Sequence, residues 1–239
     1  MNILESIILW LRQVAKLPDK TKPKTALPAG ASVPTCTVTS VDAQFTPAQR
    51  QEINAAMQVI FNLFGGADKF YALTGIPNLK FVYPTKLSCA QSNAVSCYVG
   101  NGVIEMTAGA FNPAPLVSGW YIAHEVGHAF DFSHSGGNPR LYRSQAFVEY
   151  FVPRNWYQRL MRLPIRKVAS NIGYQGKIWT EIAKTTGASI RGQLNSAEDF
   201  ADTFAVIYAE SILQGDLPYR SFNSRWRYVQ VKAMIKGNI

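Results

Sequence analysis

The sequence has few histidines, few cysteines and few acidic residues, and it contains no long apolar run. Histidine and cysteine occur three times each in 239 residues, and 15 acidic side chains are outnumbered by 24 lysines and arginines, which gives a net charge of +9. No apolar run approaches the roughly 20 residues that cross a bilayer, which argues against an integral membrane protein. The positive charge favours contact with anionic surfaces such as nucleic acid, membrane head groups or acidic polymers. A hydrophobic content of 47% suffices for the buried core of one domain with an appendage.

The three cysteines are too few for a disulfide framework. Cys89 and Cys97 flank the polar run CAQSNAVSC, whereas Cys36 stands alone. The paired CxxC spacing of small zinc domains is missing, which argues against a zinc knuckle. The two close cysteines either form a disulfide that closes the polar loop or remain free thiols, and the sequence leaves both alternatives open. A disulfide between them would favour an extracytoplasmic or particle-associated protein.

The first 35 residues differ in composition from the rest of the chain. Residues 1–16, MNILESIILWLRQVAK, place apolar side chains at helical spacing along one stripe, which predicts an amphipathic helix. Residues 17–35 contain four prolines and are predicted to form a semi-rigid linker. The main domain is therefore predicted over residues 36–239. The N-terminal helix either packs on that domain or contacts an assembly partner or a membrane surface.

The main domain is predicted to be α+β, mostly helical with a small sheet. Thr46 as N-cap, Pro47 at the first helical position and Gln49 in a capping box predict a helix that ends at Gly65. Strands are predicted at residues 79–83 and 103–107, and helices at residues 118–132, 143–150, 177–184, 196–212 and 224–236. The segment SGWYIAHEVGHAFDF is apolar almost all round, so its helix is expected to be buried.

All the histidines lie within residues 121–134, YIAHEVGHAFDFSH. A helix places His124 and His128 one turn apart on the same face, so both imidazoles can bind one metal ion, and Glu125 lies beside them. Zinc (Zn²⁺) held by two imidazoles and a third protein ligand retains a position for water and lowers the pKa of that water to about 7. The HExxH pattern therefore predicts a zinc site for metal-assisted hydrolysis, with Glu125 as general base.

His134 is one candidate for the third ligand. It lies at the spacing of the HExxHxxGxxH metzincins, in which a glycine lets the chain turn back to the metal. Asp131 occupies the glycine position, and the left-handed turn costs more for a residue with a side chain. Met161, the nearest candidate for a metzincin methionine turn, lies in a basic amphipathic stretch typical of an ordinary helix.

Glu198, in NSAEDFADTF, is the rival candidate. Ser196 and Asp199 are predicted to form a capping box, after which Glu198 and Asp202 share one face of a helix. In that position Glu198 can bind zinc. Asp202 can accept a hydrogen bond from the outer nitrogen of a ligating histidine, which would set its tautomer.

Two segments together, HEVGHAFDF and the later EDFADTF, resemble the gluzincin metallopeptidases. The resemblance is closest to the group that contains the catalytic domain of anthrax lethal factor and the bacterial Pro-Pro endopeptidases, and it covers about residues 103–212. It implies a zincin-like fold, a peptide or protein substrate, and these roles: zinc ligands His124, His128 and Glu198, base Glu125, and Asp202 as the partner of a ligand. It also implies that the strand at residues 103–107 is the sheet edge on which an extended peptide aligns.

A tyrosine that members of this group place before the third ligand, to stabilise the oxyanion, is missing from TTGASIRGQLNS. Arg191 and Tyr174 are candidate replacements, because any preorganised donor aimed at the developing charge can serve. Without such a donor, the chain would be a catalytically weak or inactive zincin-like binding protein. Its basic aromatic stretches at residues 150–167 and 220–232 would then contact an assembly partner, a membrane or nucleic acid, of which nucleic acid is not favoured as the main partner.

Overall fold

The computed structural model describes residues 40–76, 78–89, 94–111, 115–136, 141–145, 196–213 and 222–238. The predicted N-terminal helix and linker, residues 1–35, lie outside these ranges, as do Cys36 and the helix predicted at residues 177–184. The helix predicted at residues 143–150 is described only as far as residue 145.

Two helices occur early in the described part of the chain. Helix α1, Pro47–Phe64, begins as predicted: the Gln49 N–H donates to Thr46 Oγ1, and the Thr46 N–H donates to the Gln49 side chain. It ends at Gly65, whose φ of 80° gives the left-handed cap that glycine adopts at little cost. Helix α2, Ala67–Thr74, follows directly, although the sequence pattern does not indicate it.

The sheet has four strands in the order β1-β2-β4-β3, namely β1 Ser40–Val41, β2 Lys80–Val82, β3 Ser96–Gly100 and β4 Val103–Met106. Strand β2 pairs in parallel with β1 and β4, whereas β3 pairs antiparallel with β4. Strands β2 and β4 lie within the predicted ranges 79–83 and 103–107, so both predictions are confirmed.

The expectation that residues 103–107 form the sheet edge is wrong. Strand β4 is bonded to β2 on one side and to β3 on the other, so among the described strands β3 forms the edge on that side. A tight turn at Asn101 and Gly102, both with positive φ, joins β3 to β4. This hairpin was not predicted from the sequence because β3 begins within a polar run. Strands are recognised in a sequence by alternating apolar residues, which that run lacks.

Helix α3, Pro115–Phe132, carries the histidine motif and packs against α1, β3 and helix α4, Ser196–Leu213. Helix α5, Phe222–Ile235, packs on α4. As its apolar composition predicts, α3 is buried, with no exposed residue between positions 122 and 131. Phenylalanines from four helices form much of the core around it: Phe61, Phe64, Phe70, Phe130, Phe200 and Phe204.

The architecture confirms an α+β fold, with five α-helices and a small mixed sheet in the described ranges. The helices predicted at residues 196–212 and 224–236 are confirmed with boundaries that differ by at most two residues, which is within the usual fraying of helix ends. Within the described ranges, no helix combines the length and the apolar character needed to cross a membrane.

Candidate metal centre

Helix α3 places two imidazoles side by side. His124 and His128 lie one turn apart, and their Nε2 atoms are 3.1 Å from each other. The two rings are nearly perpendicular, with centroids 4.7 Å apart. Both residues are buried, with 3% and 8% of their surface exposed. Two ring nitrogens are therefore directed at one point inside the protein.

Gly127 lets helix α4 approach α3 closely enough to add a carboxylate to this point. A Cβ atom at Gly127 would lie 2.8 Å from the Cα of Ala201, which is closer than real side chains come. Gly119, earlier in α3, leaves room for the side chain of Tyr208 of α4. The two helices therefore pack closely at the glycines of α3. Because α4 is so close, Glu198 in its first turn reaches the imidazoles.

Glu198 completes a triangle of candidate ligand atoms. Its Oε2 lies 3.5 Å from His124 Nε2, and its Oε1 lies 3.6 Å from His128 Nε2. Among the described residues, these three form the group of His, Cys, Asp or Glu side chains whose ligand atoms all lie within 4.8 Å of one another. The three side chains can therefore hold a metal ion.

Asp202, one turn after Glu198, binds the other nitrogen of His124. Its Oδ1 is 2.8 Å from His124 Nδ1, and both side chains are buried. Burial lowers the pKa of His124, but hydrogen bonds to Asp202 and Glu198, together with nearby negative charge, outweigh burial and raise this pKa to about 10. The site therefore favours a positive charge. In a neutral imidazole, Asp202 keeps the proton on Nδ1, which leaves the Nε2 lone pair available to a metal.

The edge strand β3 holds Glu125. Ser96 Oγ donates to Glu125 Oε1 at 2.8 Å, and the Tyr98 N–H donates to Oε2 at 2.8 Å. Because Glu125 is only 2% exposed, these two donors replace water that a carboxylate would otherwise bind. Sequence patterns missed Ser96 and Tyr98. Side chains alternate between the two faces of a strand, so residues 96 and 98 of β3 lie on the same face. This alternation could have identified both residues, but the polar run before β3 makes the strand hard to recognise in the sequence.

His134 lies away from the triangle. It is exposed, and its ring packs against Gly75, the residue that ends helix α2. Gly75 has a φ of 68°, and any side chain there would overlap the His134 ring. Of the two candidates for the third position, Glu198 is therefore the one that lies beside the imidazoles.

Asp131 is buried at the end of α3 and anchors the segment that follows. Its Oδ1 accepts a hydrogen bond from the Ser144 N–H at 2.6 Å. Burial raises the pKa of Asp131 to about 7, although Ser144 and the charge of Arg143 act in the opposite direction. The Arg143 guanidinium lies over the Phe130 ring at 4.4 Å. These contacts tie residues 141–145 to the end of α3.

Aromatic rings line one side of His128. Phe132 stacks on the His128 ring with centroids 5.5 Å apart, and Tyr142 packs on Phe132 at 4.3 Å. Tyr98 of β3 contacts Phe132 at 5.9 Å. The same three aromatic residues line a cavity of about 620 Å³ beside β3. A largely apolar wall therefore extends from His128 towards the edge strand.

Arg227, in α5, is a buried charge that sequence patterns also missed. It forms an ion pair with Asp199, and both side chains are fully buried. Asp199 therefore has a partner in α5, and its capping box with Ser196 stays a prediction. The burial of Arg227 could have been predicted from its spacing: it lies four and eight residues before the buried Val231 and Ile235, on the apolar face of α5.

Part of the basic aromatic stretch at residues 220–232 is turned into the protein. Arg227 and Tyr228 are both buried, and Tyr228 donates a hydrogen bond to Glu210 of α4. These two side chains are thus engaged within the fold and do not present a stacking surface. The other basic stretch, residues 150–167, lies outside the described residues.

The described residues supply two imidazoles, a carboxylate beside them and a second carboxylate held by the edge strand. Tyr174 and Arg191, the candidate oxyanion donors, fall outside the described ranges. Comparison of the chain with protein families, curated proteins and solved structures finds no match in any of the three.

Proposed function

We propose that this chain is a zinc-dependent endopeptidase of the gluzincin type with a zincin-like fold. The observation that carries the proposal is the convergence of His124, His128 and Glu198, with Glu125 next to His124 in α3 and close enough for its charge to act on that imidazole. Helices α3 and α4, which are far apart in the chain, supply these four side chains. An HExxH helix joined by a glutamate from a later helix is the ligand pattern that the gluzincin resemblance implies.

The spacing of the three candidate ligands is compatible with zinc. Bonds of about 2.0–2.2 Å to a tetrahedral zinc ion separate the ligand atoms by about 3.3–3.6 Å. The three separations in the structure are 3.1, 3.5 and 3.6 Å. When bound, zinc supplies a Lewis acid that polarises a substrate carbonyl and lowers the pKa of water to about 7. Asp202 keeps His124 in the tautomer that binds through Nε2.

Glu125 is the proposed general base. It accepts a proton from the water that attacks the peptide carbonyl and returns that proton to the departing amine. Each oxygen of its carboxylate accepts one hydrogen bond from β3 and retains a second lone pair for this proton. Because Ser96 and the Tyr98 N–H hold the carboxylate before substrate arrives, little reorganisation is needed during the reaction.

The outer edge of β3 is the proposed binding place for the peptide. Within the described ranges, no further strand pairs with this edge. An extended peptide can add to an unpaired edge through main-chain hydrogen bonds. Since β3 also holds Glu125, a peptide on this edge would lie near the base. The proposal thus transfers to β3 the role that the resemblance assigned to residues 103–107.

Metal analysis combined with a peptide library tests the proposal. We expect purified full-length protein to contain zinc and to cleave members of the library. A chelator should abolish cleavage, and added zinc should restore it. Glu125→Gln is the matched control, because it retains all three candidate ligands and should bind zinc without cleaving. Cleavage that survives both the chelator and Glu125→Gln would contradict the proposal.

Zinc binding without any cleavage would instead favour the second candidate, an inactive zincin-like binding protein. The observation behind it is the missing tyrosine before Glu198. Binding to nucleic acid and to anionic vesicles should then be measured over a range of salt concentrations. A steep loss of affinity with added salt would indicate contacts with phosphates, whereas a flat response would exclude nucleic acid as the main partner.

A further inference from the structure

Two thiols that the proposed chemistry does not use line the cavity beside β3. Cys97 belongs to β3 and is buried, whereas Cys89 lies at the end of the preceding described segment and is half-buried. Both face the cavity of about 620 Å³ and are free thiols. A dissolved oxidant can therefore reach the pair through Cys89.

Glu105 explains how the fold brings these thiols together. It lies directly opposite Cys97 in the register of β3 and β4. Its buried carboxylate accepts two hydrogen bonds from Ser88, one from the N–H and one from Oγ, each at 2.6 Å. Ser88 precedes Cys89, so this anchor holds Cys89 over the same pair of strands that carries Cys97. Cys89 and Cys97 therefore lie at the same pair of strands and face the same cavity.

We propose that Cys89 and Cys97 form a reversible disulfide that fixes the edge strand β3 to the segment before it. The oxidant is a disulfide, either of a small molecule or of a protein. Oxidised glutathione and the disulfide of a thiol oxidoreductase belong to this class. The structure describes the reduced state of the pair.

The reaction consists of two thiol–disulfide exchanges. Cys89 attacks the oxidant first because it is the more accessible thiol, forming a mixed disulfide and releasing one thiol of the oxidant. Cys97 then attacks the Cys89 sulfur, forming the internal disulfide and releasing the second thiol. The two cysteine protons pass to the two released thiols, and the oxidant is reduced by two electrons. Burial raises the pKa of Cys97, which lowers the fraction of its thiolate available for the second exchange.

The disulfide would act on the strand that holds the proposed base. Cys97 lies between Ser96 and Tyr98, the two residues whose hydrogen bonds hold Glu125. A bond from Cys97 to Cys89 fixes β3 to a segment already anchored on β4. Closing this short loop also lowers the entropy of the unfolded chain, so the oxidised protein should melt on the order of 5 °C higher than the reduced protein.

Thiol counting on the full-length protein tests the pair. The protein is incubated with oxidised glutathione, denatured, and alkylated with a maleimide with or without prior reduction by a phosphine. We expect oxidised wild-type protein to lose two reactive thiols, and peptide mapping to join Cys89 to Cys97. Cys36→Ser should lose the same two thiols, whereas Cys89→Ser should form no internal disulfide. Glutathione that remains on Cys89 while Cys97 stays reactive would overturn the proposal, as would an oxidised protein that melts no higher than the reduced one.

Ser88→Ala tests the anchor separately from the cysteines. It removes one of the two hydrogen bonds to Glu105, so closure of the disulfide should slow several-fold. Ser211→Ala, which removes a hydroxyl from α4, is the matched control and should close at the wild-type rate. An unchanged rate in Ser88→Ala would show that the hydrogen bond from the Ser88 hydroxyl to Glu105 does not position the pair. None of these measurements uses peptide hydrolysis, so failure of the disulfide and failure of the proposed peptidase activity are distinguishable.

Discussion

At the scale of single residues, the side chain of Glu125 is oriented by a strand to which it does not belong. Its two carboxylate oxygens accept hydrogen bonds from Ser96 Oγ and from the Tyr98 N–H. A buried carboxylate with a donor on each oxygen is held in one orientation. The HExxH pattern therefore specifies that a glutamate is present, and strand β3 specifies the direction in which its carboxylate points.

Removing the Ser96 hydroxyl should slow hydrolysis without loss of metal. Ser96→Ala deletes a hydrogen bond to a buried charge, an interaction that contributes about 1.5–3 kcal/mol, so we expect kcat to fall about tenfold or more. Zinc content per chain should stay unchanged, because Ser96 contacts none of the three candidate ligands. Ser96→Thr retains a hydroxyl and should recover most of the rate. Equal losses in both variants would point to packing and not to the hydrogen bond.

Substitutions at the triangle should separate ligands from their neighbours. We expect Glu198→Ala to yield metal-poor, inactive protein, and Asp202→Ala to bind zinc about 10- to 100-fold more weakly, because the tautomer of His124 is no longer held. His134→Ala should retain its zinc. Zinc per chain and the zinc dissociation constant are the measurements. Loss of metal in His134→Ala together with retention in Glu198→Ala would favour the metzincin arrangement.

Asp131 should make the folded protein less stable as pH rises, whereas an ordinary ion-paired carboxylate makes it less stable as pH falls. Burial raises its folded-state pKa from 3.8 to about 7, so between these pH values the folded chain retains a proton that the unfolded chain has released. Its contribution to stability is therefore present at low pH and is lost as pH rises through about 7. Asp131→Asn stays neutral and retains an acceptor for the Ser144 N–H. The difference in urea midpoint between Asp131→Asn and wild type should grow in favour of the variant from about pH 5 to about pH 8; a constant difference would contradict this.

At the scale of secondary-structure elements, two kinds of contact hold helix α4 in place. On one side, Gly127 and Gly119 let α4 approach the backbone of α3. On the other side, Arg227 of α5 forms an ion pair with Asp199, the residue next to Glu198. Removing one partner of such a buried pair typically costs about 3–5 kcal/mol, because the remaining charge stays buried without compensation. The position of Glu198 is thus set by three helices.

Adding one methyl group between α3 and α4 should weaken metal binding. In Gly127→Ala the new Cβ would meet the backbone of Ala201, so the helices must separate and Glu198 must withdraw from the imidazoles. We expect zinc affinity to fall at least tenfold and stability to fall by about 1–3 kcal/mol. Gly136→Ala is the control: its φ of 55° makes alanine costly, but nothing lies within 4 Å of the new Cβ, so it should lose stability and keep zinc affinity. Zinc affinity lost equally in both variants would contradict this account.

At the scale of the whole molecule, the candidate centre depends on segments that are distant in the chain. Strand β3 orients the proposed base, α3 and α4 supply the candidate ligands, and α5 supports α4 from outside. Phe64 of α1 packs against Phe130 of α3 and Phe204 of α4, with ring centroids 5.5 and 6.2 Å apart. Unfolding the domain should therefore abolish the candidate metal site, and a metal bound there should stabilise the fold.

Zinc should raise the melting temperature of the whole protein. A ligand present at 100 times its dissociation constant stabilises the folded state by about 2.7 kcal/mol, which corresponds to roughly 5–10 °C for a domain of this size. Scanning calorimetry of zinc-loaded and chelator-treated protein measures the shift. His134→Ala should show the same shift and Glu198→Ala none. A melting temperature independent of zinc in the wild type would show that the triangle does not bind the ion when folded.

Several features of the fold could be predicted because their causes are local. The start of α1 is defined by three residues of a single turn, Thr46, Pro47 and Gln49, and its end is defined by Gly65. Helix α3 is recognisable from its continuous apolar surface. The triangle was partly predictable as well, since residues four apart on a helix must share a face, as His124 and His128 do in α3 and Glu198 and Asp202 do in α4.

The sequence by itself determined the secondary structure of the main helices and the chemical types gathered near the histidines. Only the tertiary structure decided which distant residues meet them. It placed Glu198 at the imidazoles and His134 against Gly75, made β3 and not β4 the sheet edge, and gave Asp199 a partner in α5. The physical reason is range: capping and periodicity act over a few residues, whereas these choices depend on how closely two helices can approach and on how strands are ordered in a sheet.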